Sequence, residues 1–292
     1  MSAGGLFKGT PHLRPDEHRL LSELIRARLG LDLGVETRAL LERRLGPRLA
    51  ALGLSSFADY EMHLRFAQPG DDEWDHVTEI LTVHETYFFR QPEQLRALSD
   101  ELFPVLHERK ANRRRLAIWS AACASGEEVY TLGILVRQSG LFVDWDVRIY
   151  GSDISKKCIA TARRGVYGES AFRTVSAESL APYVRRVEGK PPATYEVSSS
   201  VRGLCHFGQL NLVDPGPLAP IGHLDIILCR NLLIYFDERA RRRAIELFYE
   251  RLAPGGILVL GHAESLLHVS TDFELLHLQN DLVYNKPLKA TT

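Results

Sequence analysis

The chain has 292 residues, of which 45% are hydrophobic and 25% charged, with a formal net charge of -1. This is the profile of a globular protein, and its charge balance argues for neither nucleic acid nor an anionic membrane surface as a partner. Cys123, Cys158, Cys205 and Cys229 lie too far apart for CxxC pairs and read as reduced thiols in a reducing compartment.

The N-terminal stretch MSAGGLFKGTPHLRPDEHRLL lacks an apolar run of signal-peptide length. From Asp16 to about Leu29, leucines and isoleucines recur at helical spacing behind Pro15. VETRALLERRLGPRLAALGL reads as a second helix that Gly46-Pro47 should kink or split. Ser55 and Ser56 offer caps for a third helix, 68–72 reads as a turn, and DEWDHVTEILTVHET reads as a fourth helix. No strand is evident before residue 110, and the chain shows no internal repeat or low-complexity tract.

Strands and helices then alternate. LAIWSA, WDVRIYGSD, LDIILCRN and ILVLGH read as strands. EEVYTLGILVRQSG, SKKCIATARRG and ERARRRAIELFYERLA read as the helices between them. FELLHLQNDLVYNKP reads as an antiparallel pair. LDIILCRNLLIYF is interrupted by Arg230 and Asn231, so it is no membrane span. The alternation predicts a doubly wound, mostly parallel α/β sheet, which binds ligands beyond the carboxyl ends of its strands.

Candidate site residues gather at those ends. SAACASGEE after the first strand is a run of small residues that opens a helix, without GxGxxG. Asp153 ends the second strand, where it could hold ribose hydroxyls or cap a helix. Arg230 and Asn231 follow a strand that reads as buried, so they need partners. Tyr235 lies on the same stretch, as a site residue or as core beside Phe236. Thr86 and Arg90 in HETYFFRQPEQL would share a face of a helix, and Tyr87, Phe88 and Phe89 read as packing residues. The eleven histidines form no HExxH or paired pattern, so no metal is expected.

HETYFFR, SAACASGEEVYTL, YGSDIS with ARRGVY, Asn211-Leu212, CRNLLIYFD and LAPGGILVLGHAESL stand in the order of the chemotaxis protein methyltransferase (CheR) family. The sequence resembles that family from about residue 15 to its end. The resemblance implies an all-helical N-terminal domain (1–75), a linker helix (76–110) and a class I methyltransferase domain (111–292). A small antiparallel β-subdomain would be inserted near 170–207. It also implies S-adenosylmethionine as cofactor, with S-adenosylhomocysteine as product.

The implied activity is methyl transfer to glutamate side chains on the cytoplasmic helices of a methyl-accepting chemoreceptor, in chemosensory adaptation. The enzyme would be a cytoplasmic monomer, with no nucleic acid partner and no direct membrane insertion. By the resemblance, His84, Thr86, Arg90, Ala122, Glu128, Asp153, Asn211, Leu212, Arg230 and Asn231 bind cofactor. Arg90 and Tyr235 border the substrate carboxylate, and Arg38, Arg43, Arg44 and Arg48 are candidates for receptor docking, with a solvated helix face as the alternative.

Several positions depart from the family pattern. His84 stands where asparagine is common, Val129 replaces a frequent proline, and Ala263 replaces a serine. Pro47 and Ala50 thin a helix face that is often basic. Two other classes stay open: a non-catalytic cofactor-binding signalling module, and a dinucleotide-dependent oxidoreductase, which the missing GxGxxG weighs against.

Overall fold

The computed structural model describes residues 11–68, 71–189, 192–216, 222–267 and 269–288. They divide into two compact units, one running up to Val83 and including Tyr235–Ala240, the other comprising His84–Ile234 and the chain from Arg241 onward.

The first unit is helical. Helix α1 (Pro15–Leu29) begins with proline at its first turn, and the left-handed Gly30 (φ 73°) ends it. Helix α2 (Arg38–Leu52) runs through Pro47, so of the expected kink or split the split does not occur. Leu41, Leu45, Gly46 and Leu49 are all buried on one side of α2, so tertiary packing holds together what proline disfavours. Helix α3 (Phe57–Arg65) is capped by Ser56, whose Oγ accepts the Asp59 amide at 3.1 Å. Helix α4 (Glu73–Leu81) spans the expected domain boundary at 75/76, which moves to residue 83. The turn expected at 68–72 includes two residues, 69–70, that lie outside those described; Asp71 N donates to Gln68 O at 3.0 Å. Leu21, Ile25, Leu45, Phe57 and Tyr60 are fully buried.

The second unit is built on a seven-stranded sheet. Its strands are β1 (Arg115–Ala121), β2 (Asp146–Asp153), β6 (Cys205–Gln209), β7 (Leu224–Cys229), β8 (Leu252–Leu260), β9 (Glu274–His277) and β10 (Leu282–Asn285). Their order is β6-β2-β1-β7-β8-β10-β9. The first five run parallel, and the last two form the expected antiparallel pair. From β1 the chain builds outward through β2 and β6, then returns to place β7 on the other side of β1. The reversal therefore lies between β1 and β7, where such sheets take ligands. Six successive residues of β1 and all six of β7 are buried, as strands covered on both faces require.

A smaller sheet, β3 (Val166–Gly168), β5 (Thr194–Val197) and β4 (Val184–Arg186), is antiparallel in the order β3-β5-β4. It begins before the expected 170, while Cys205–Gln209, expected inside the insertion, is an outer strand of the large sheet.

Before β1, Pro92–Arg109 is helical throughout, with α5 (Pro92–Arg96) and α6 (Phe103–Arg109) joined by a π-helical turn. This segment clasps the C-terminal hairpin. Gln94 Nε2 donates to Leu260 O at 2.8 Å and to Asp281 Oδ2 at 2.7 Å, and Glu101 accepts the amides of Gln279 and Asn280.

Candidate cofactor site

The carboxyl ends of β1, β2 and β7 meet three irregular segments, and strained backbone concentrates there. Among the described residues, seven non-glycine residues have positive φ; Phe89, Gln91, Ala122, Ala124 and Asn231 account for five of them. Such conformations persist only where surrounding bonds over-determine them.

After β1 the chain passes through Ala122 (φ 63°), Ala124 (φ 47°) and Gly126 (φ 94°) into α7 (Glu127–Ser139). Cys123 N donates to Ser152 O at 2.9 Å and Ala124 N to Asp153 Oδ2 at 2.8 Å, tying this loop to the end of β2. A Cβ at Gly126 would stand 2.7 Å from that of Ala162, so glycine is required by φ and by space. The first residue of α7, Glu127, is buried; burial raises its carboxyl pKa, although Ser125 Oγ donates to it at 2.8 Å. Burial also pushes the Cys205 thiol up to about 12 and those of Cys123 and Cys229 well above the usual value, so all three are held as neutral thiols.

Asp153 is 6% exposed, and its other oxygen accepts Ser155 N at 2.9 Å. The N-cap of α8 (Lys156–Arg164) is Ser155, whose Oγ accepts the Cys158 amide, so Asp153 is not that cap. Beside it, Gln209 of β6 pairs in register with Asp153. Asn211 follows, folded over a turn in which its Oδ1 accepts Val213 N at 3.0 Å, and Leu212 is buried.

Arg230 is the polar hub. Its Nη1 donates to Glu128 Oε2 at 2.9 Å, its Nε to Gln91 Oε1 at 2.9 Å and its Nη2 to Arg90 O at 2.6 Å. The other oxygen of Glu128 accepts Ser120 Oγ at 2.7 Å. The next residue, Asn231 (φ 60°), is held by a carboxylate that the sequence reading missed. Glu264 accepts the amides of Asn231, Leu232, Leu233 and Gly261, at 2.8, 2.8, 2.6 and 2.7 Å. A Cβ at Gly261 would stand 2.9 Å from Asn231 N, so the glycine lets the two segments touch. Gly261 was the available signal, since it closes a buried strand three residues before Glu264.

Residues 83–90 are not the helix expected for Thr86 and Arg90, because α4 stops at Leu81 and the chain then runs irregularly. Its backbone bonds go to tertiary partners instead. Phe88 N donates to Ala171 O at 2.9 Å, Phe89 N to Thr131 Oγ1 at 3.2 Å, and Phe88 O accepts Thr174 Oγ1 at 2.8 Å. Phe88 is fully buried, its ring stacked on Phe172 with centroids 4.6 Å apart. Tyr87, expected to pack, instead receives the Arg173 guanidinium at 4.0 Å from its ring centre and that of Arg90 at 5.7 Å. Arg90 Nη1 also donates to Glu85 O, and Arg173 pairs with Glu85 at 3.0 Å. Thr86 is part-buried on the same segment.

The second unit therefore contains His84, Thr86, Arg90, Ala122, Glu128, Asp153, Asn211, Leu212, Arg230 and Asn231. Tyr235 falls in the first unit; its side chain is 39% exposed, and its carbonyl accepts Asp32 N at 2.8 Å. Two of the four expected docking arginines are engaged within that first unit. Arg48 Nη2 pairs with Glu73 at 2.5 Å, and Arg44 donates to Ile80 O at 3.1 Å; Arg43 is exposed and Arg38 half-buried.

The family model described as "CheR methyltransferase, SAM binding domain" matches residues 84–282, and "CheR methyltransferase, all-alpha domain" matches residues 16–82. The chain belongs to the CheR methyltransferase family. It is 35% identical over 255 residues to chemotaxis protein methyltransferase 2 of Vibrio cholerae serotype O1, covering 87% of this chain and 86% of that one. It is 31% identical over 271 residues to the chemotaxis protein methyltransferase of Klebsiella aerogenes, covering 92% and 89%. Among solved structures, magnesium protoporphyrin IX methyltransferase from Synechocystis with bound SAM is similar at 13% identity and a TM-score of 0.36, over 78% of this chain and 88% of that one.

S-adenosylmethionine is the cofactor of the matched domain. The site's residues fit it. The Ala122–Gly126 loop carries only small side chains and takes positive φ at Ala122, Ala124 and Gly126, which permits close approach of a ligand to its backbone. Asp153 stands at the carboxyl end of β2, with an amide on each oxygen, where a carboxylate can accept ribose hydroxyls. Asn231 Oδ1 is buried without a partner, an acceptor position that a bound ligand can satisfy. Among the described residues no helix is long and apolar enough to cross a membrane.

Proposed function

We propose that this protein transfers the methyl group of S-adenosylmethionine to glutamate carboxylates on the cytoplasmic helices of a chemoreceptor. The products are glutamate methyl esters and S-adenosylhomocysteine, and the role is chemosensory adaptation in the cytoplasm. The observation that carries the reading is the hydrogen-bonded network of Arg230 with Glu128 and Gln91, joined through the Asn231 amide to Glu264, within a domain matched as S-adenosylmethionine-binding.

The bound cofactor supplies an electrophilic methyl on a sulfonium. A glutamate side chain has a pKa of about 4.3 and reaches neutral solution already ionised, so no general base is required. What the protein contributes is placement and partial exclusion of water. In this reading Asp153 holds the ribose hydroxyls, Asn211 and Leu212 flank the adenine, and Glu128 faces the methionine amino group. Arg90 orients the incoming carboxylate, held back from a tight pair by its bond to Glu85 O and its place over Tyr87. Arg43 and Arg38 remain the cations best placed to meet an acidic receptor helix.

Each transfer removes one negative charge from the receptor surface, which relieves repulsion between packed helices. Incubation with methyl-labelled cofactor and receptor fragments tests the reading. Label released as methanol by mild alkali supports it, whereas alkali-stable label, or none with any receptor, overturns it.

A further inference from the structure

A second chemistry is built into the same strand end. His84, Asp153 and Cys158 each present a ligand atom, and these three atoms lie within 4.8 Å of one another. Asp153 and Cys158 are buried, at 6% and 8% exposure, and His84 is half-buried. The three positions come from separate segments, so no histidine or cysteine spacing announced them in the sequence.

Each ligand is held by its surroundings. Asp153 ends β2 with both oxygens fixed by amides, Ala124 N at 2.8 Å and Ser155 N at 2.9 Å. Such outer bonds orient a ligating carboxylate. Cys158 sits in the first turn of α8, its amide anchored on Ser155 Oγ at 2.9 Å. His84 opens the segment pinned by Phe88 and Phe89.

One thiolate, one imidazole and one carboxylate make a borderline-soft donor set that suits zinc. Bonds of about 2.0–2.3 Å in a tetrahedral site put ligand atoms roughly 3.3–3.8 Å apart. The spacing of 4.8 Å or less therefore closes on an ion when the ligand atoms draw together by roughly 1.0–1.5 Å at most. Three protein ligands leave a fourth position open, as in exchangeable rather than structural zinc sites.

We propose that His84, Asp153 and Cys158 form a zinc-binding site whose occupation competes with the cofactor. The competition rests on the reading of Asp153 as the ribose-binding carboxylate, since one side chain cannot serve both at full strength; the metal site itself does not. Zinc here inhibits rather than activates, because methyl transfer to a carboxylate needs no metal.

The test uses the full-length, chelator-treated protein and cobalt(II) as the optical probe. The expected result is one equivalent of cobalt bound, with a thiolate-to-metal absorption band that zinc erases. The band is lost in Cys158→Ser and in His84→Asn. No band in the unaltered protein, or a band that survives Cys158→Ser, overturns the site.

Calorimetry with S-adenosylhomocysteine then tests the competition. Stoichiometric zinc weakens binding tenfold or more in the unaltered protein and less than twofold in Cys158→Ser. Binding by metal-free Cys158→Ser also shows that this variant is folded. Unchanged affinity in the zinc-loaded unaltered protein overturns the competition. Failure of the metal-free unaltered protein to bind S-adenosylhomocysteine overturns the cofactor reading, while the cobalt band still decides the metal site.

Discussion

Arg230 and Glu128 form an ion pair at 2.9 Å in which 3% and 16% of the side chains are exposed, joining the end of β7 to the first turn of α7 across the switch point of the sheet. Removing one partner leaves the other charge buried and uncompensated, which costs about 3 kcal/mol. Glu128→Leu should therefore lower the melting temperature by roughly 6–12 °C, at about 2–4 °C per kcal/mol for a unit of this size. A melting curve within 2 °C of the unaltered protein would remove the pair from the account of stability.

Glu264 satisfies four backbone amides that otherwise lie against one another around Asn231. Glu264→Gln keeps the shape but turns an NH2 group toward amide donors, so two bonds become repulsive. The expected cost is about 2–6 kcal/mol, each of the two unsatisfied donors counting about 1–3 kcal/mol. S-adenosylhomocysteine affinity should fall at least tenfold as the turn loosens, which calorimetry reads directly.

Gly126→Ala places a methyl 2.7 Å from Ala162 Cβ at a φ of 94°. Helix α7 must then shift at its first residue. Cofactor affinity should fall more than tenfold, while Gly140→Ala, with nothing within 4 Å of its added Cβ, should cost only the strain of its own φ. Equal affinities for the two variants would show that the loop does not need its close approach.

Glu127 is buried, and burial raises its carboxyl pKa. Its folded value then exceeds the unfolded one, so the associated stability is complete below the unfolded value and is lost as pH rises through the folded value. Glu127→Gln removes that loss. The variant should be more stable than the unaltered protein at pH 8, and the advantage should fade toward pH 4. Denaturant midpoints at the two pH values measure it, and a difference independent of pH would exclude the effect.

Arg48 pairs with Glu73, which also accepts Tyr60 Oη at 2.6 Å. Arg48→Met should destabilise the first unit by about 2 kcal/mol, less than a fully buried pair because Arg48 is partly exposed. Receptor affinity should change less than twofold, whereas Arg43→Glu should weaken it severalfold. The reverse order would return Arg48 to the docking surface.

What the sequence revealed follows from burial. Continuous apolar runs marked β1 and β7, and with them the sheet, while Asp153 and Arg230-Asn231 stood out because polar groups at buried strand ends need partners. What it concealed is tertiary. Helical spacing placed Thr86 and Arg90 on one face, but Phe88 and Phe89 spend their amides on Ala171 and Thr131, and the left-handed Gln91 precedes the next helix. Pro47 was expected to kink or split α2 because its local cost is plain, whereas the buried leucines that keep the helix in one piece are felt only after folding. Glu264 looked like one surface glutamate among many, since its four amides come from a segment 31–33 residues away and from Gly261.

The clasp between Gln94 and Asp281 has a consequence for biogenesis. The two residues lie 187 positions apart, and β10, which follows Asp281, completes the sheet beside β8. During vectorial synthesis the helical segment emerges long before its latch, so Gln94 stays unlatched until the chain has been made at least as far as Asp281. A nascent chain stalled before Asp281 therefore lacks both this clasp and the pairing of β10 with β8.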